Sequence, residues 1–161
     1  MNYSFDRGHH LPEELLDLTL REVRERFGDT SVLIPALEDR PIIRNAGDVA
    51  TLFCDLRDKE QEEFWVASLN SAHEVLGKHR LTIGCADQAL IHPREAFRKA
   101  IVDNAVAVVF CHNHPGGSIE PSTQDLKVSR RLIESGEILG IKVLDHIIMA
   151  RKGWGSAMPV F

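Results

Sequence analysis

The sequence predicts an α/β fold, a three-layer α/β/α sandwich built around a mixed β-sheet. Its 161 residues fit one domain that is large enough to bury its own core. Segments with strand and helix patterns follow one another in the order β-β-α-β-α-β from residue 64 to residue 149. Residues 105–111 (AVAVVFC) are apolar on both alternating faces, as expected of a central strand that is covered on both sides.

The first part of the chain predicts a helix, a connector and a second helix. Residues 11–27 (LPEELLDLTLREVRERF) carry spaced leucines and an early proline, and Gly28 follows where a helix would end. Residues 30–43 contain two prolines, which predicts an irregular connector or a short edge strand. The second helix is expected over residues 49–58, with Asp48 as its N-cap.

A hairpin and two further helix–strand units follow. The apolar run at 64–69 and the alternating segment at 73–84 flank a turn-prone Asn-Ser pair, and Gly77 predicts a bulge in the second strand. Pro93 suits the first position of a helix, because a backbone N–H would have no helical partner there. The remaining elements are a helix over 93–104, the central strand over 105–111, a helix over 122–139 ended by Gly140, and a strand over 142–149.

Composition and charge exclude several classes of protein. Apolar residues make up 43% of the chain and charged residues 27%, which is ordinary globular usage and excludes wholesale disorder or a fibrous repeat. The 19 Lys and Arg residues against 24 Asp and Glu residues give a net charge of −5. Since autonomous nucleic-acid binders usually have a basic face, this balance disfavours DNA binding by the chain alone.

Cysteine usage and hydropathy predict a cytoplasmic protein without a membrane segment. Cys54, Cys85 and Cys111 form no C-x-x-C pair, so we expect reduced, buried thiols instead of disulfides or a cysteine zinc site. The opening residues lack the apolar core of a secretion signal. No apolar stretch approaches the roughly 20 residues that a membrane-spanning helix needs.

The stretch CHNHPGGSIEPSTQD combines residue types that bind metal ions. His112 and His114 are two residues apart at the end of the central strand, so both rings share one face, with Cα atoms about 6.6 Å apart. That spacing lets both rings reach one cation, and Asp125 in the first turn of the next helix can face them. Two imidazoles and a carboxylate leave one tetrahedral position open, as in catalytic zinc sites.

Each half of this pattern also has a purely structural interpretation. Two histidines at a strand end are more often ordinary surface residues. Ser122 and Asp125 form a capping box in which each side chain binds the backbone N–H of the other residue. The combination, in the order strand end, HxHP, glycine-containing loop, Ser-x-x-Asp and helix, favours the metal site. A cap can also hold in place a helix start that carries a ligand.

The spacing H-x-H-P-x(6)-S-x-x-D resembles the JAMM motif of MPN/JAB-domain metallopeptidases. The surrounding segments HPREAFRKAIVDNAVAVVFCHNHPGG and PSTQDLKVSRRLIESGEILGIKVLDHIIM resemble the RadC branch, a family named for DNA repair. The resemblance covers roughly residues 45–150 and implies a cytidine-deaminase-like fold with a zinc-hydrolase site. We therefore divide the chain into a helical extension with a connector, 1–44, and a RadC-like JAB/MPN domain, 45–161.

The resemblance also implies roles for single residues. It makes His112, His114 and Asp125 the ligands of one Zn²⁺ per chain. Ser122 would donate a hydrogen bond to the zinc-bound water or to the developing oxyanion.

A glutamate just before the first core strand completes the family's site. The sequence EEFWVASL lies at that place and makes Glu63 the leading candidate for the general base. The same charge-rich run is typical of a solvated turn, and Glu62 and Glu60 remain alternatives for this role.

The function that the resemblance implies is hydrolysis of an amide or isopeptide bond in a peptide or protein substrate. The alternatives are a non-catalytic MPN-type binding module and an accessory protein of DNA repair. A base deaminase is disfavoured further, because that chemistry needs H-x-E followed by P-C-x-x-C and the chain has neither. The sequence indicates no particular oligomeric state.

The other histidines of the main domain have plain structural interpretations. We expect His73 and His79 to be exposed on the second strand of the hairpin. His92 and His146 are expected to pack or to cap helices, with substrate contact as the second interpretation.

Overall fold

The computed structural model describes residues 40–84 and 91–158. The chain divides into two units after residue 30, and every described residue belongs to the second unit. The predicted helix over 11–27 lies outside the described residues. In chain order the elements are α1 (Ala46–Leu52), a 3-10 helix (Cys54–Asp58), β1 (Glu63–Leu69), β2 (Val75–Ile83), α2 (Pro93–Val102), β3 (Ala107–Asn113), α3 (Thr123–Leu139), β4 (Lys142–Ala150) and β5 (Gly153–Ser156).

The five strands form one mixed sheet in the order β2-β1-β3-β4-β5. β1 runs antiparallel to both β2 and β3, β3 runs parallel to β4, and β4 is antiparallel to β5. The mixed sheet was predicted, and α3 supplies the crossover that a parallel pair requires. The last strand was not predicted, because GWGS is too short and too rich in glycine to show an alternating pattern.

Two apolar cores lie on the two faces of the sheet, which confirms the three-layer α/β/α prediction. On one face, α1 and the 3-10 helix contribute to a cluster that contains Phe53 and Leu56. On the other face, α2 and α3 contribute Phe97 and Leu132 to a second cluster. All seven residues of β3 are buried, as predicted for the central strand. Each fully buried Phe or Leu side chain contributes roughly 1.5–3 kcal/mol, so the two clusters hold the helices against the sheet.

The first helix starts earlier than predicted. Asn45 is its N-cap and Asp48 occupies the third helical position, so the prediction that Asp48 is the N-cap was wrong. The two residues form a capping box in which Asn45 Oδ1 accepts from the N–H of Asp48 at 3.2 Å and Asp48 Oδ2 accepts from the N–H of Asn45 at 3.2 Å. Asn and Asp both suit the N-cap position, so composition alone did not separate them.

Two further boundaries differ from the prediction. β3 begins and ends two residues later than expected, which places His112 inside the strand. β2 begins at Val75, because His73 lies in the preceding turn with a φ of 59°. The predicted irregularity near Gly77 is present, since the register against β1 shifts between Val75 and Gly77.

The connector ends against the edge of the sheet. Ile42 forms an isolated antiparallel bridge with Glu74, just before β2, in agreement with the short-edge-strand alternative for this segment. At the other end of the domain, Gly140 ends α3 as predicted, with a left-handed φ of 70°. Across the two described stretches, no helix combines the length and apolarity that crossing a bilayer requires.

Candidate metal centre

Three side chains from β3 and α3 converge on one point. One ligand atom from each of His112, His114 and Asp125 lies within 4.8 Å of the other two. The Nε2 atoms of the two rings are 3.0 Å apart. Asp125 Oδ1 lies 3.3 Å from Nε2 of His112, and Oδ2 lies 3.4 Å from Nε2 of His114. The structure therefore brings together the three residues that the sequence nominates.

The remaining ring nitrogens of both histidines are already hydrogen-bonded. His114 Nδ1 lies 3.0 Å from the backbone oxygen of Ser118. Because a carbonyl oxygen only accepts, Nδ1 of His114 carries a proton, and Nε2 is the ring nitrogen that remains for a metal ion. His112 Nδ1 lies 2.8 Å from Nε2 of His146. Metal-binding histidines usually donate their second N–H in this way, so two imidazoles and a carboxylate fit a divalent cation here.

Asp125 is held by the cap of its own helix. Its Oδ2 accepts from the backbone N–H of Ser122 at 2.7 Å and from the Ser122 hydroxyl at 2.6 Å. In return, Ser122 Oγ accepts from the N–H of Asp125 at 3.1 Å. The capping box and the cluster of possible ligands are therefore both present. The cap aims the carboxylate at the two rings.

Charge is arranged to keep this carboxylate ionised. Burial alone would raise the pKa of Asp125, but the neighbouring His112 and His114 rings and the Ser122 hydroxyl hold that pKa far below its ordinary value. The hydrogen bond to Asp125 raises the pKa of His114, although burial of that ring acts in the opposite direction. The centre thus attracts positive charge.

The structure does not bring Glu63 to this cluster. Phe64 pairs with His112 across β1 and β3, and the two rings stack at 5.6 Å with an angle of 9° between their planes. Glu63 therefore faces the opposite side of the sheet, where its Oε2 accepts from Nε1 of Trp65 at 2.9 Å. Nη1 of Arg80 lies 3.9 Å from the same oxygen. Glu63 is buried among these groups, away from the rings.

Glu62, one of the alternatives from the sequence, lies closer to the centre. Glu62 is one residue before β1, and because side chains alternate along an extended chain, we expect it to share the face of Phe64. It is partly buried, and its negative charge contributes to the raised pKa of His114 after the larger effect of the Asp125 hydrogen bond. The backbone oxygen of Glu62 accepts from the N–H of Gly84 at 2.8 Å, which fixes this residue beside the end of β2.

Asn113, between the two histidines, holds the start of β1 in place. Its Oδ1 accepts from the backbone N–H of Glu63 at 2.8 Å. Its Nδ2 donates to the backbone oxygen of Gln61 at 3.0 Å. The sequence alone indicated no role for Asn113, although its position within the HxH motif is a signal that could have suggested one.

His146 is a second residue whose role the sequence underestimated. It is fully buried, as the packing interpretation expected, and its ring lies 5.0 Å from that of Phe64. Its Nδ1 also lies 2.7 Å from Oγ of Ser129 on α3. Burial lowers the pKa of His146, and the neighbouring His112 lowers it further. The neutral ring links a candidate ligand to a helix.

The other histidines agree with the predictions only in part. His73 is exposed, as expected. His79 is only 5% exposed, so the prediction of an exposed side chain was wrong. Its Nε2 lies 2.7 Å from Oδ2 of Asp103 at the end of α2, a partner 24 positions away that no local pattern indicates. His92 occupies the N-cap position of α2 without a capping hydrogen bond from its side chain.

The cysteines follow the prediction only in part. Cys111 is a free, buried thiol whose pKa is raised by burial. Cys54 is also free but exposed, which corrects the expectation of a buried thiol. Cys85 lies outside the described residues.

These features define a class: an α/β/α domain with a His-x-His pair and a helix-capping Asp converging at the end of its central strand. The family model described as the RadC-like JAB domain matches residues 43–158 of the chain. The chain belongs to this RadC-like JAB domain family, as the resemblance in the motif implied.

Curated relatives in this family are named UPF0758 protein, a name that states no activity. The relative from Methanospirillum hungatei is 48% identical over 132 residues, which cover 81% of this chain and 56% of the relative. The relative from Moorella thermoacetica is 46% identical over 111 residues, covering 68% and 48%. The relative from Desulforamulus reducens is 45% identical over 124 residues, covering 76% and 54%. The chain spans about half the length of the curated relatives it matches.

Proposed function

We propose that the chain is a metal-dependent hydrolase of the metallopeptidase or isopeptidase type, acting on an amide bond in a peptide or protein. The observation that carries the proposal is the convergence of two Nε2 atoms and one carboxylate, with both Nδ1 atoms already hydrogen-bonded. Structural zinc sites use four protein ligands, whereas catalytic sites use three and keep one position for solvent or substrate. The described residues contribute three donors to this site, and a set of three favours catalysis.

One Zn²⁺ per chain is the cation that we propose for His112, His114 and Asp125. Cys111, the neighbour of His112 in β3, belongs to the core on the other face of the sheet, so its thiol does not join these donors. When bound, the cation would supply Lewis acidity that polarises an amide carbonyl and acidifies water. The chain's own residues would then need to accept and return a proton.

Glu62, in place of Glu63, is the residue that we propose as this proton acceptor. Its expected place on the face of Phe64 and its charge acting on His114 support the assignment. A carboxylate there can take a proton from the attacking water and deliver it to the leaving amine. Glu63 is engaged by Trp65 on the opposite face, so it would serve the fold of β1.

Ser122 retains a proposed role at the oxyanion, but only through a change of partner. Its hydroxyl has one proton, which it donates to Asp125 in this structure. Donation to a substrate oxyanion requires that this proton turn away from the carboxylate. We propose that Ser122 first orients Asp125 and can then stabilise the tetrahedral intermediate, where one donor contributes about 3–4 kcal/mol.

Neighbouring variants that remove one charge each test the proposal. Wild type, Glu62→Gln and Glu63→Gln should each hold about one equivalent of zinc after purification without chelator, measured by elemental analysis. Glu62→Gln should lose about 10²–10⁴-fold in kcat on a peptide that the wild type cleaves, selected from an internally quenched peptide library. Glu63→Gln is the matched control and should stay within about threefold of the wild-type kcat.

The outcomes separate the competing functions. Zinc binding by a wild type that cleaves no peptide would contradict the hydrolase and favour the non-catalytic binding module. Equal loss of kcat in both variants would contradict the assignment of Glu62. An accessory role in DNA repair predicts retention on duplex DNA that weakens with salt, which a net charge of −5 makes unexpected.

A further inference from the structure

We propose that Ser129 and His146 are positioning residues that fix the tautomer of His112, so that its Nε2 is the nitrogen offered to a metal ion. The proposal rests on the metal centre of the proposed function and needs no particular reaction. It assigns a purpose to two buried polar residues that contact no substrate site directly.

The relay begins at the backbone of α3. Ser129 Oγ donates its proton to the backbone oxygen of Asp125 at 2.8 Å, one helical turn earlier. A hydroxyl has a single proton, so the same Oγ must act as an acceptor towards Nδ1 of His146, 2.7 Å away. This contact places the proton of His146 on Nδ1.

The second step passes through the His146 ring. The ring is fully buried, and no carboxylate among the described residues forms a hydrogen bond with it, so it is neutral and carries one proton. With that proton on Nδ1, Nε2 of His146 accepts from Nδ1 of His112 at 2.8 Å. His112 therefore keeps a free lone pair on Nε2, the atom that lies 3.3 Å from Asp125 Oδ1.

The four residues form a closed ring of contacts. Asp125 participates twice, because its carboxylate faces His112 and its backbone oxygen receives the proton of Ser129. The position of the helix start is thus tied to the tautomer of the ring on β3. A shift of α3 that displaced the carboxylate would also disturb the hydrogen bonds that orient His112.

Aromatic packing keeps water from substituting for a member of the ring. The ring of Phe64 stacks on His112 at 5.6 Å and lies 5.0 Å from His146. The ring of Phe110 lies edge-on to His146 at 6.4 Å. His112 and His146 are both 0% exposed, so a substitute donor would have to come from the protein.

The chain offers a matched pair of serine variants on α3. Ser135 Oγ donates to the backbone oxygen of Arg131 at 2.7 Å, the same contact one turn back that Ser129 makes, but at a partly exposed position away from the rings. Ser129→Ala should weaken binding of Zn²⁺ by about 10-fold, measured by competition with a chromogenic chelator. Ser135→Ala should leave the Kd for Zn²⁺ within about twofold of wild type.

A spectroscopic readout on metal-free protein completes the test. Long-range ¹H–¹⁵N correlation spectra should show His112 and His146 of the wild type protonated at Nδ1 alone, and a mixture of tautomers in Ser129→Ala. Protonation of His112 at Nε2 in the wild type would overturn the relay, even if Ser129→Ala does not fold. Equal Kd values for the two serine variants would also overturn it. If the wild type binds no zinc while His112 shows the expected tautomer, the proposed function fails and the relay stands.

Discussion

Among the described residues, two buried histidines pair with carboxylates on the face of the sheet that packs against α2 and α3, and only one of these pairs forms a candidate metal centre. His79 on β2 lies 2.7 Å from Asp103 at the end of α2. His112 on β3 lies 3.3 Å from Asp125, and a second imidazole, that of His114, shares the same carboxylate. The number of groups that converge is the first difference between the pairs.

The second difference is the state of the other ring nitrogen. Nδ1 of His79 is buried and has no hydrogen-bond partner among the described residues. Nδ1 of His112 is bonded to His146, which is bonded to Ser129. Burial and a carboxylate neighbour are therefore not enough to indicate a metal site. The distinguishing property is that several donor side chains converge and that each is also oriented by a hydrogen bond to another group.

The largest expected effect comes from removing one carboxylate charge in each pair. Asp125→Asn should weaken zinc binding at least about 100-fold, because the site loses the carboxylate of its three described ligand residues. Asp103→Asn should leave the Kd for zinc within about twofold, since Asp103 belongs to the other pair. Isothermal titration calorimetry with ZnCl₂ on metal-free protein gives both values. A comparable loss of affinity in both variants would mean that the two pairs act as one unit.

The comparison of the two pairs also shows which features of the molecule could be predicted from the sequence. Local patterns sufficed for the central strand, because its residues are apolar on both faces, and for the helix start at Ser122. The convergence of His112, His114 and Asp125 followed from short-range geometry, since 14 positions contain both the strand end and the helix cap. Such features depend on residues that are close in the chain.

Features that depend on distant pairing were out of reach. The choice between Glu62 and Glu63 depends on which of them shares the face of Phe64 and His112, a parity set by the register of β1 against β3. The burial of His79 depends on Asp103, which approaches only after α2 has packed on the sheet. No periodicity in the sequence specifies either contact.

A smaller effect is expected from crowding the His79 pair. A Cβ at Gly77 would overlap Nε2 of His79 and lie 2.7 Å from Oδ2 of Asp103. Gly77→Ala should therefore lower the free energy of unfolding by about 1–3 kcal/mol, measured by urea denaturation. Gly116→Ala is the control, because a Cβ there meets nothing within 4 Å. Unchanged stability in Gly77→Ala would show that the pair is loosely packed.

The smallest effect is expected from substitutions in the two capping boxes. The two boxes should contribute similarly to the stability of the fold, but only the box of α3 contains a residue of the metal centre. Ser122 caps α3 and holds Asp125, whereas Asn45 caps α1 and holds Asp48. Alanine at either cap should cost about 0.5–2 kcal/mol of unfolding free energy, because each change leaves a helix N–H without its acceptor.

Only Ser122→Ala should also weaken zinc binding, by about threefold to tenfold, since Asp125 then loses a hydrogen bond that orients its carboxylate. Thermal denaturation of metal-free protein, followed by calorimetric zinc titration at a temperature where both variants are folded, separates the two effects. If Asn45→Ala weakened zinc binding as much as Ser122→Ala, loss of stability alone would explain the result. The cap of α3 would then have no specific part in presenting the carboxylate.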